Sequence, residues 1–406
     1  MPEPGNPPRL QRRTLMRGAA ATFGLAMLAG CVEESDSQRT PTPSPLAQST
    51  GEPTPTQEAI GSPVPAYQDA SKWLGRTLSV ATWGGDFESA QEEAFFVPFE
   101  QQTGADIQTK HADVARMIDQ VDSGTVSWDL ITIEMGRVLS LAREGYLTPI
   151  DYNIVDDTPL IPEFALQHGV GMACYSTVLI YTPSLVQRPS SWVDFWNVTA
   201  PADDGSTDPA QLRALPHTAV GTLEFSLLAD GVPVNELYPL DVERAFANLA
   251  RIYPNVPVWY EDGKLPIEMT LAEQAGMAAG WNVRINQFGD REDDVIGMIW
   301  DGGMIAGDAW VIPTGAPNAD VAMDFINFAT RAVPTANFSR LVPYGPVNLD
   351  SFELIREDRH ALLPTSPENL DRQFIQNWNW WSDNLEAIQA RFDQWIIDGP
   401  SESEDT

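Results

Sequence analysis

Strand-like and helix-like patterns of apolar residues alternate along most of the chain. Thr77–Thr82 predicts a buried strand, which Trp83 and the glycines after it end, and Asp86 is predicted to cap the helix that follows. Residues 128–133 predict another buried strand, and residues 137–144 predict a short helix. This alternation predicts an α/β fold with a largely parallel sheet.

The second half of the chain continues the same pattern. Apolar side chains recur at helical spacing in residues 240–252, 318–330 and 382–397. Met277–Trp281 and residues 308–313 are short apolar runs that end in turn residues, and both predict strands. No internal repeat is recognisable, so the chain is predicted to build its fold from non-repeating units.

Polar and aromatic residues follow two of the predicted strands where each strand ends. Trp83 and Asp86 come after the first strand, and Glu134 follows the strand at 128–133. In open α/β sheets, ligands bind beyond the carboxyl ends of the strands. These residues are therefore candidates for a ligand-binding site.

The charge of the chain excludes one class of partner. The formal net charge is −33, and Lys72, Lys110 and Lys264 are the only lysines. Nucleic-acid binding requires a basic surface, so it is not expected. Solubility in salt explains the acidity, and so does a GC-rich genome combined with an acidic extracellular surface; both explanations stay open, and neither bears on the fold.

The residues that commonly carry cofactor or catalytic chemistry form no recognisable motif. Cys31 and Cys174 have no cysteine or histidine near them in the sequence, and the four histidines are scattered. We therefore predict no metal site and no cofactor. The chain also lacks G-x-S-x-G, H-E-x-x-H and P-loop patterns, so no catalytic residue is predicted and the protein is not expected to be an enzyme.

The N-terminal residues indicate export and anchoring. Residues 1–30 contain the pair Arg12-Arg13, then a short apolar run, and are predicted to be a twin-arginine signal. The run ends at Leu28-Ala29-Gly30-Cys31, which resembles a bacterial lipobox, so Cys31 is the predicted lipidation site. Residues 31–76 are rich in Pro, Thr and Ser and are predicted to be a disordered tether.

Several segments together carry a resemblance to extracellular solute-binding proteins of the spermidine/putrescine type. The resemblance extends over about 77–395 and rests on the order and spacing of these segments: 83–86, 95–100, 128–130, 279–282, 310–318 and 344–348. It implies a two-lobed, periplasmic-binding-protein-like fold (type II) with a ligand cleft between lobes joined by crossover strands. Lobe 1 would comprise 77–178 and about 306–345, lobe 2 about 179–305, and 346–399 would form C-terminal helices packing on the lobes.

The resemblance also implies a function. Such a protein is the substrate-binding subunit of an ABC importer, and here it would capture a small organic cation such as a polyamine by lobe closure. It would be a lipid-anchored monomer at the outer face of the cell membrane or in the periplasm, with permease subunits and a cytoplasmic ATPase as partners. The ligand contacts implied are Trp83, Asp86, Glu134, Trp281, Asn282, Asp308, Trp310 and Tyr344.

Two departures from the polyamine-binding pattern leave an alternative ligand open. The second-lobe stretch 215–222 has no carboxylate, and Arg284 follows Trp281 closely. An arginine in the cleft would repel a polyamine unless it were paired, and it would suit a ligand carboxylate. The alternative ligand is an amino-acid-like or opine-like zwitterion. A secreted hydrolase using paired carboxylates, or a sensor on the same fold, is the other alternative.

Overall fold

The computed structural model describes residues 63–201, 206–287 and 295–400. The predicted signal, Cys31 and the tether residues before 63 lie outside the described residues. The strands are β1 (Thr77–Thr82), β2 (Asp106–His111), β3 (Leu130–Glu134), β4 (Ala165–Leu166), β5 (Gly169–Tyr181), β6 (Arg213–Pro216), β7 (Val258–Tyr260), β8 (Met277–Trp281), β9 (Gly297–Val311) and β10 (Phe374–Ile375).

Helices cover the sheet and connect its strands. They are α1 (Gly85–Gln91), α2 (Val97–Thr103), α3 (Val114–Asp122), α4 (Met135–Arg143), α5 (Trp192–Trp196), α6 (Ala219–Ala229), α7 (Val242–Ala250), α8 (Leu265–Leu271), α9 (Asn282–Gln287), α10 (Ala319–Ala329), α11 (Ala332–Leu341), α12 (Glu357–His360), α13 (Pro367–Leu370) and α14 (Trp378–Asp398). A π-helical segment, Glu92–Phe96, joins α1 to α2. Among the helices of the described ranges, none is long and apolar enough to cross a lipid bilayer.

The strands form one mixed sheet in the order β2-β1-β3-β9-β5-β8-β6-β7. The pairs at its two ends are parallel, as predicted: β2-β1-β3 on one side and β8-β6-β7 on the other. β5 and β9, of 13 and 15 residues, pair antiparallel with each other in the middle. Each is long enough to run from one end group to the other, so these two are the crossover strands.

Two separate apolar cores confirm the two-lobed fold. Lobe 1 surrounds a core that includes Phe95, Phe99 and Phe325. Lobe 2 surrounds a second core that includes Trp192 and Phe246. Because each core has its own set of buried side chains, the crossover strands are the main covalent path between two units that are packed independently.

The C-terminal helix α14 contacts both lobes. Its first residue, Trp378, packs against Phe164 with ring centroids 5.7 Å apart and belongs to the core of lobe 1. Farther along the helix, Trp381, Phe392 and Trp395 are buried in the core of lobe 2. The helix starts one turn earlier than the sequence predicted, because Asn377 caps it by accepting a hydrogen bond from the backbone N–H of Trp380.

Residues 63–76, which we call the strap, pack on lobe 1. Tyr67 is buried, and its hydroxyl donates to Asp324 Oδ1 at 3.1 Å. The indole N–H of Trp73 and the ammonium of Lys72 reach Asp324 Oδ2 at 2.6 and 2.9 Å. The predicted tether is therefore too long at its C-terminal end. The tether was predicted from the overall content of Pro, Thr and Ser in residues 31–76. That overall content does not reveal the few aromatic side chains, Tyr67 and Trp73, that pack on lobe 1.

Candidate ligand-binding site

A cavity of about 430 Å³ lies where the two lobes meet. Its volume falls in the range of small-molecule sites. Lobe 1 and the crossover strands supply most of its wall, and lobe 2 supplies the residues at the end of β8 and the start of α9. The lining residues are Trp83, Gly84, Gly85, Asp86, Phe87, Glu134, Tyr175, Trp281, Val283, Arg284, Asp308, Val342 and Tyr344.

The turn after β1 brings a tryptophan to the cavity. Gly84 and Gly85 have φ values of 83° and 62°, which non-glycine residues rarely adopt, so the chain can turn sharply from strand to helix. Trp83 stays 36% exposed at this turn. Its indole N–H donates to Asp308 Oδ1 at 3.2 Å, which ties the end of β1 to β9.

Two carboxylates on adjacent strands form the acidic part of the cavity. Glu134 ends β3, and its Cα pairs directly with that of Asp308 on β9, so both side chains lie on the same face of the sheet. Asp308 is 5% exposed, whereas Glu134 is exposed. Burial, together with the negative charge of Glu134, raises the pKa of Asp308 to about 7, and the hydrogen bond from Trp83 opposes this shift.

Aromatic rings surround the carboxylates. Tyr175 on β5 makes edge-to-face contacts with Trp281 and Tyr344, with ring centroids 5.9 and 6.4 Å apart. Phe87 of α1 packs on Tyr344 at 5.3 Å. Burial raises the pKa of both tyrosines well above the usual range, and the carboxylates raise them further. Both phenols therefore stay neutral and present ring faces and hydroxyl groups to a ligand.

Lobe 2 contributes the positive charge. α9 begins directly after β8, so Trp281 at the strand end and Arg284 in the first turn of the helix both reach the cavity. Arg284 is half-buried, and its charge acts to lower the pKa of Tyr344, which belongs to the other lobe's side of the cavity. Within the lining that the structure describes, the carboxylates come from lobe 1 and the guanidinium from lobe 2.

Seven of the nine sequence-predicted contacts line the cavity, and Trp310 and Asn282 do not. Trp310 lies on the same face of β9 as Asp308 but two residues deeper, where it packs against Phe325 at 5.4 Å. The side chain of Asn282 is buried, accepts from the backbone N–H of Ser176 and donates to the carbonyl of Pro343. Asn282 therefore braces the crossover region, and neither of these two predicted side chains lines the cavity.

Asp86 lines the cavity but does not cap α1 as predicted. The helix begins at Gly85, two residues earlier than a cap at Asp86 would place it, with Gly84 in the capping position and no side-chain cap. Asp86 is exposed in the first turn. Sequence reasoning also missed Tyr175 and Phe87. The 13-residue apolar run of β5 was the available signal for Tyr175, because a strand that long must continue past one lobe.

A cleft between two lobes, lined by charged and aromatic groups and bounded by two crossover strands, defines a solute-binding protein. The chain belongs to the bacterial extracellular solute-binding protein family, whose model matches residues 94–364. The gamma-aminobutyric acid-binding protein of Pseudomonas aeruginosa is 32% identical over 81% of this chain and 94% of its own length.

Two other relatives bear on the ligand. The periplasmic binding protein AgtB of A. tumefaciens R10, solved in complex with agropinic acid, is 30% identical over 80% of this chain and 99% of its own, with a TM-score of 0.64. The spermidine/putrescine-binding periplasmic protein of Escherichia coli is 23% identical over 63% of this chain and 73% of its own. The chain is thus a solute-binding protein by family, which removes the hydrolase alternative.

Proposed function

We propose that the protein captures a small ligand that carries both an amine and a carboxylate, such as gamma-aminobutyric acid or an opine-like compound, and delivers it to the permease of an ABC importer. The observation that carries the proposal is the division of charge in the cavity. Asp308 and Glu134 are on the lobe 1 side, and Arg284 is on lobe 2. A ligand with both charges pairs with both lobes and therefore stabilises the closed form.

Asp308 favours a ligand that carries an amine. A carboxylate that is 5% exposed next to a second carboxylate has lost much of its hydration, and a ligand ammonium restores a hydrogen-bonded partner for its charge. Trp83, Tyr175 and Trp281 add aromatic faces that attract a cation.

Arg284 favours a ligand that also carries a carboxylate. Among the described residues of lobe 2, Trp281, Val283 and Arg284 line the cavity, and none of these three is acidic. The second amine of a polyamine would approach a guanidinium, whereas a ligand carboxylate would accept two hydrogen bonds from it. The more similar relatives bind gamma-aminobutyric acid or agropinic acid, which are both carboxylic acids, and they support a carboxylate-bearing ligand more than the distant polyamine binder supports a polyamine.

Replacing Arg284 with alanine tests the ligand class. We expect Arg284→Ala to weaken binding of gamma-aminobutyric acid or agropinic acid by about a hundredfold, because the ligand carboxylate loses its charged partner. Calorimetry with these two ligands, spermidine and putrescine measures the effect. Arg188→Ala is the matched control, since Arg188 is an exposed arginine of lobe 2 that does not line the cavity.

The opposite pattern would reject the zwitterionic ligand. If wild-type protein binds spermidine tightly, and Arg284→Ala leaves that affinity unchanged or improves it, then Arg284 repels the natural ligand. The polyamine interpretation would then replace the one proposed here.

Export by the twin-arginine route and lipid attachment at Cys31 complete the proposal. They are supported by the order of Arg12-Arg13, an apolar run and a lipobox-like ending in the sequence. Cys31→Ala is expected to leave the protein exported but absent from the membrane fraction, because it loses its acyl chains. Fractionation after a high-salt wash measures this, and a variant that stays membrane-bound would contradict it.

A further inference from the structure

Trp281 forms the lobe 2 wall of the cavity and is held from two directions. Its backbone pairs with Thr177 of the crossover strand β5. Tyr175 meets its ring edge-to-face at a centroid distance of 5.9 Å. The ring is rigid, so its position sets how much room lies between the lobes at this point.

Gly263 lies directly against this ring. It is a buried residue in the loop between β7 and α8, and it is not among the residues that line the cavity. A Cβ atom at position 263 would lie 2.7 Å from both Cε3 and Cζ3 of Trp281 and 3.3 Å from Cδ2. The φ of Gly263 is outside the left-handed region, so the restriction at this position is space and not backbone strain.

The loop that carries Gly263 has little freedom to retreat. Tyr260, just before it, donates its hydroxyl to the carbonyl of Ala279 on β8 at 2.7 Å. Asp262 accepts two hydrogen bonds, one at its side chain from the N–H of Lys264 and one at its carbonyl from the N–H of Leu265, both at 3.0 Å. A side chain at position 263 would therefore displace the ring more readily than the loop.

We propose that Gly263 is a positioning residue that sets the place of the Trp281 ring and, through it, the width of the ligand cavity. The proposal rests on the proposed function for its ligands. The missing side chain lets the loop backbone support the ring from behind, away from the cavity. Any larger residue moves the ring into the space that the ligand occupies, so bulky ligands lose more affinity than small ones.

A double-mutant cycle tests the proposal. Phenylalanine at position 281 has no counterpart of Cε3 and Cζ3, the two atoms that the new methyl group would strike. Gly263→Ala is expected to weaken agropinic acid binding by at least about tenfold in the Trp281 protein, because the displaced ring takes up space that the ligand needs. In the Trp281→Phe background the same substitution should cost less than about twofold. Calorimetry measures all four proteins, with gamma-aminobutyric acid as the small ligand.

A second readout needs no ligand. The emission of Trp281 is isolated as the difference between each protein and its Trp281→Phe counterpart, and Gly263→Ala is expected to change that difference spectrum. Gly136→Ala serves as the control: a Cβ there would meet only the amide end of Gln376, at an ordinary 3.4 Å. It should alter neither the emission nor the affinity.

The outcomes separate this inference from the proposed function. If the wild type binds no ligand with an amine and a carboxylate, the proposed function fails, and the emission of Trp281 still tests the position of its ring. If the wild type binds such a ligand and Gly263→Ala changes neither affinity nor emission, the positioning role is rejected. An equal loss of affinity in both backgrounds also rejects it, because the damage would then not pass through the ring.

Discussion

Replacing Asp308 with asparagine is expected to lower the affinity for an amine-bearing ligand by more than about a hundredfold. Asparagine has nearly the same shape, and its side-chain oxygen can still accept the hydrogen bond that Trp83 donates at 3.2 Å. The substitution therefore removes charge and little else. Because Asp308 is buried beside Glu134, water cannot take the place of its carboxylate as a partner for the ligand ammonium. Calorimetry at pH 8 measures the loss.

The same substitution should stabilise the protein without ligand. The pKa of Asp308 is raised to about 7, above its usual value of about 3.9 in an unfolded chain. Between these two values the folded protein binds more protons, so its stability falls as the pH rises towards 7. Asparagine does not ionise, so Asp308→Asn does not lose stability in this way. The variant should unfold at a higher urea concentration than the wild type at pH 8, and this difference should vanish near pH 4.

Wild-type ligand affinity should rise from pH 6 to pH 8, because the ligand ammonium needs an ionised Asp308 as its partner.

A surface aspartate provides the comparison. Asp119 is exposed on α3 and does not line the cavity, so Asp119→Asn should leave both affinity and its pH dependence unchanged. If Asp308→Asn bound the ligand as tightly as the wild type, the charge of Asp308 would have no part in binding. If it were less stable than the wild type at pH 8, the buried charge would be better compensated than the geometry indicates.

Replacing Asp324 with alanine is expected to destabilise the fold by about 3 kcal/mol. Its carboxylate accepts hydrogen bonds from Tyr67 and Trp73 and pairs with Lys72, all three of them in the strap. Alanine would leave the indole N–H of Trp73 without its acceptor at a site where Asp324 is 6% exposed, whereas the Tyr67 hydroxyl keeps the backbone carbonyl of residue 324 as an acceptor at 3.0 Å. Lys72 is partly exposed, so water can solvate its ammonium once the ion pair is lost, and this ion pair contributes little to the free energy of unfolding. Urea unfolding measures the change.

Asp320 on the same helix is the matched control. Its ion pair with Arg76 also joins the strap to α10, but the two side chains are 56% and 40% exposed, so water screens the pair. Asp320→Ala should therefore cost at most about 1 kcal/mol. Equal, small effects of the two substitutions would mean that the strap contributes little to stability.

Strand bounds and strand-end residues were predicted correctly, because they depend mainly on neighbouring residues in the chain. β1 has the predicted bounds because every residue after Thr77 in it is buried and the following glycines force a turn. The ends of β3 and β8 were predicted to bear ligand-contacting residues, and Glu134 and Trp281 do line the cavity. In an open α/β sheet the ligand crevice lies beyond the carboxyl ends of the parallel strands, so the pattern of strand and turn was enough to find these two residues.

Depth and long-range pairing could not be predicted in this way. Asp308 and Trp310 are two residues apart on β9 and therefore lie on the same face, so the strand pattern does not distinguish them. Trp310 belongs to the core because Phe95 and Phe325 pack against it. The role of Asn282 depends on Ser176 and Pro343, which are distant in sequence. Tyr175 reaches the cavity only because β5 crosses between lobes. Each of these outcomes depends on tertiary contacts, which a single sequence does not display.

The path of α14 restricts how the lobes can move. In the part of the chain that the structure describes, the strands β5 and β9 pass from one lobe to the other, and so does this helix, whose first residue is buried in one core and whose later residues are buried in the other. Two hydrogen-bonded strands alone would permit twisting as well as bending. A stiff rod fixed at both ends beside them opposes the twist. We therefore expect the lobes to move mainly by bending towards each other, so that the cavity walls meet in the same register on closing.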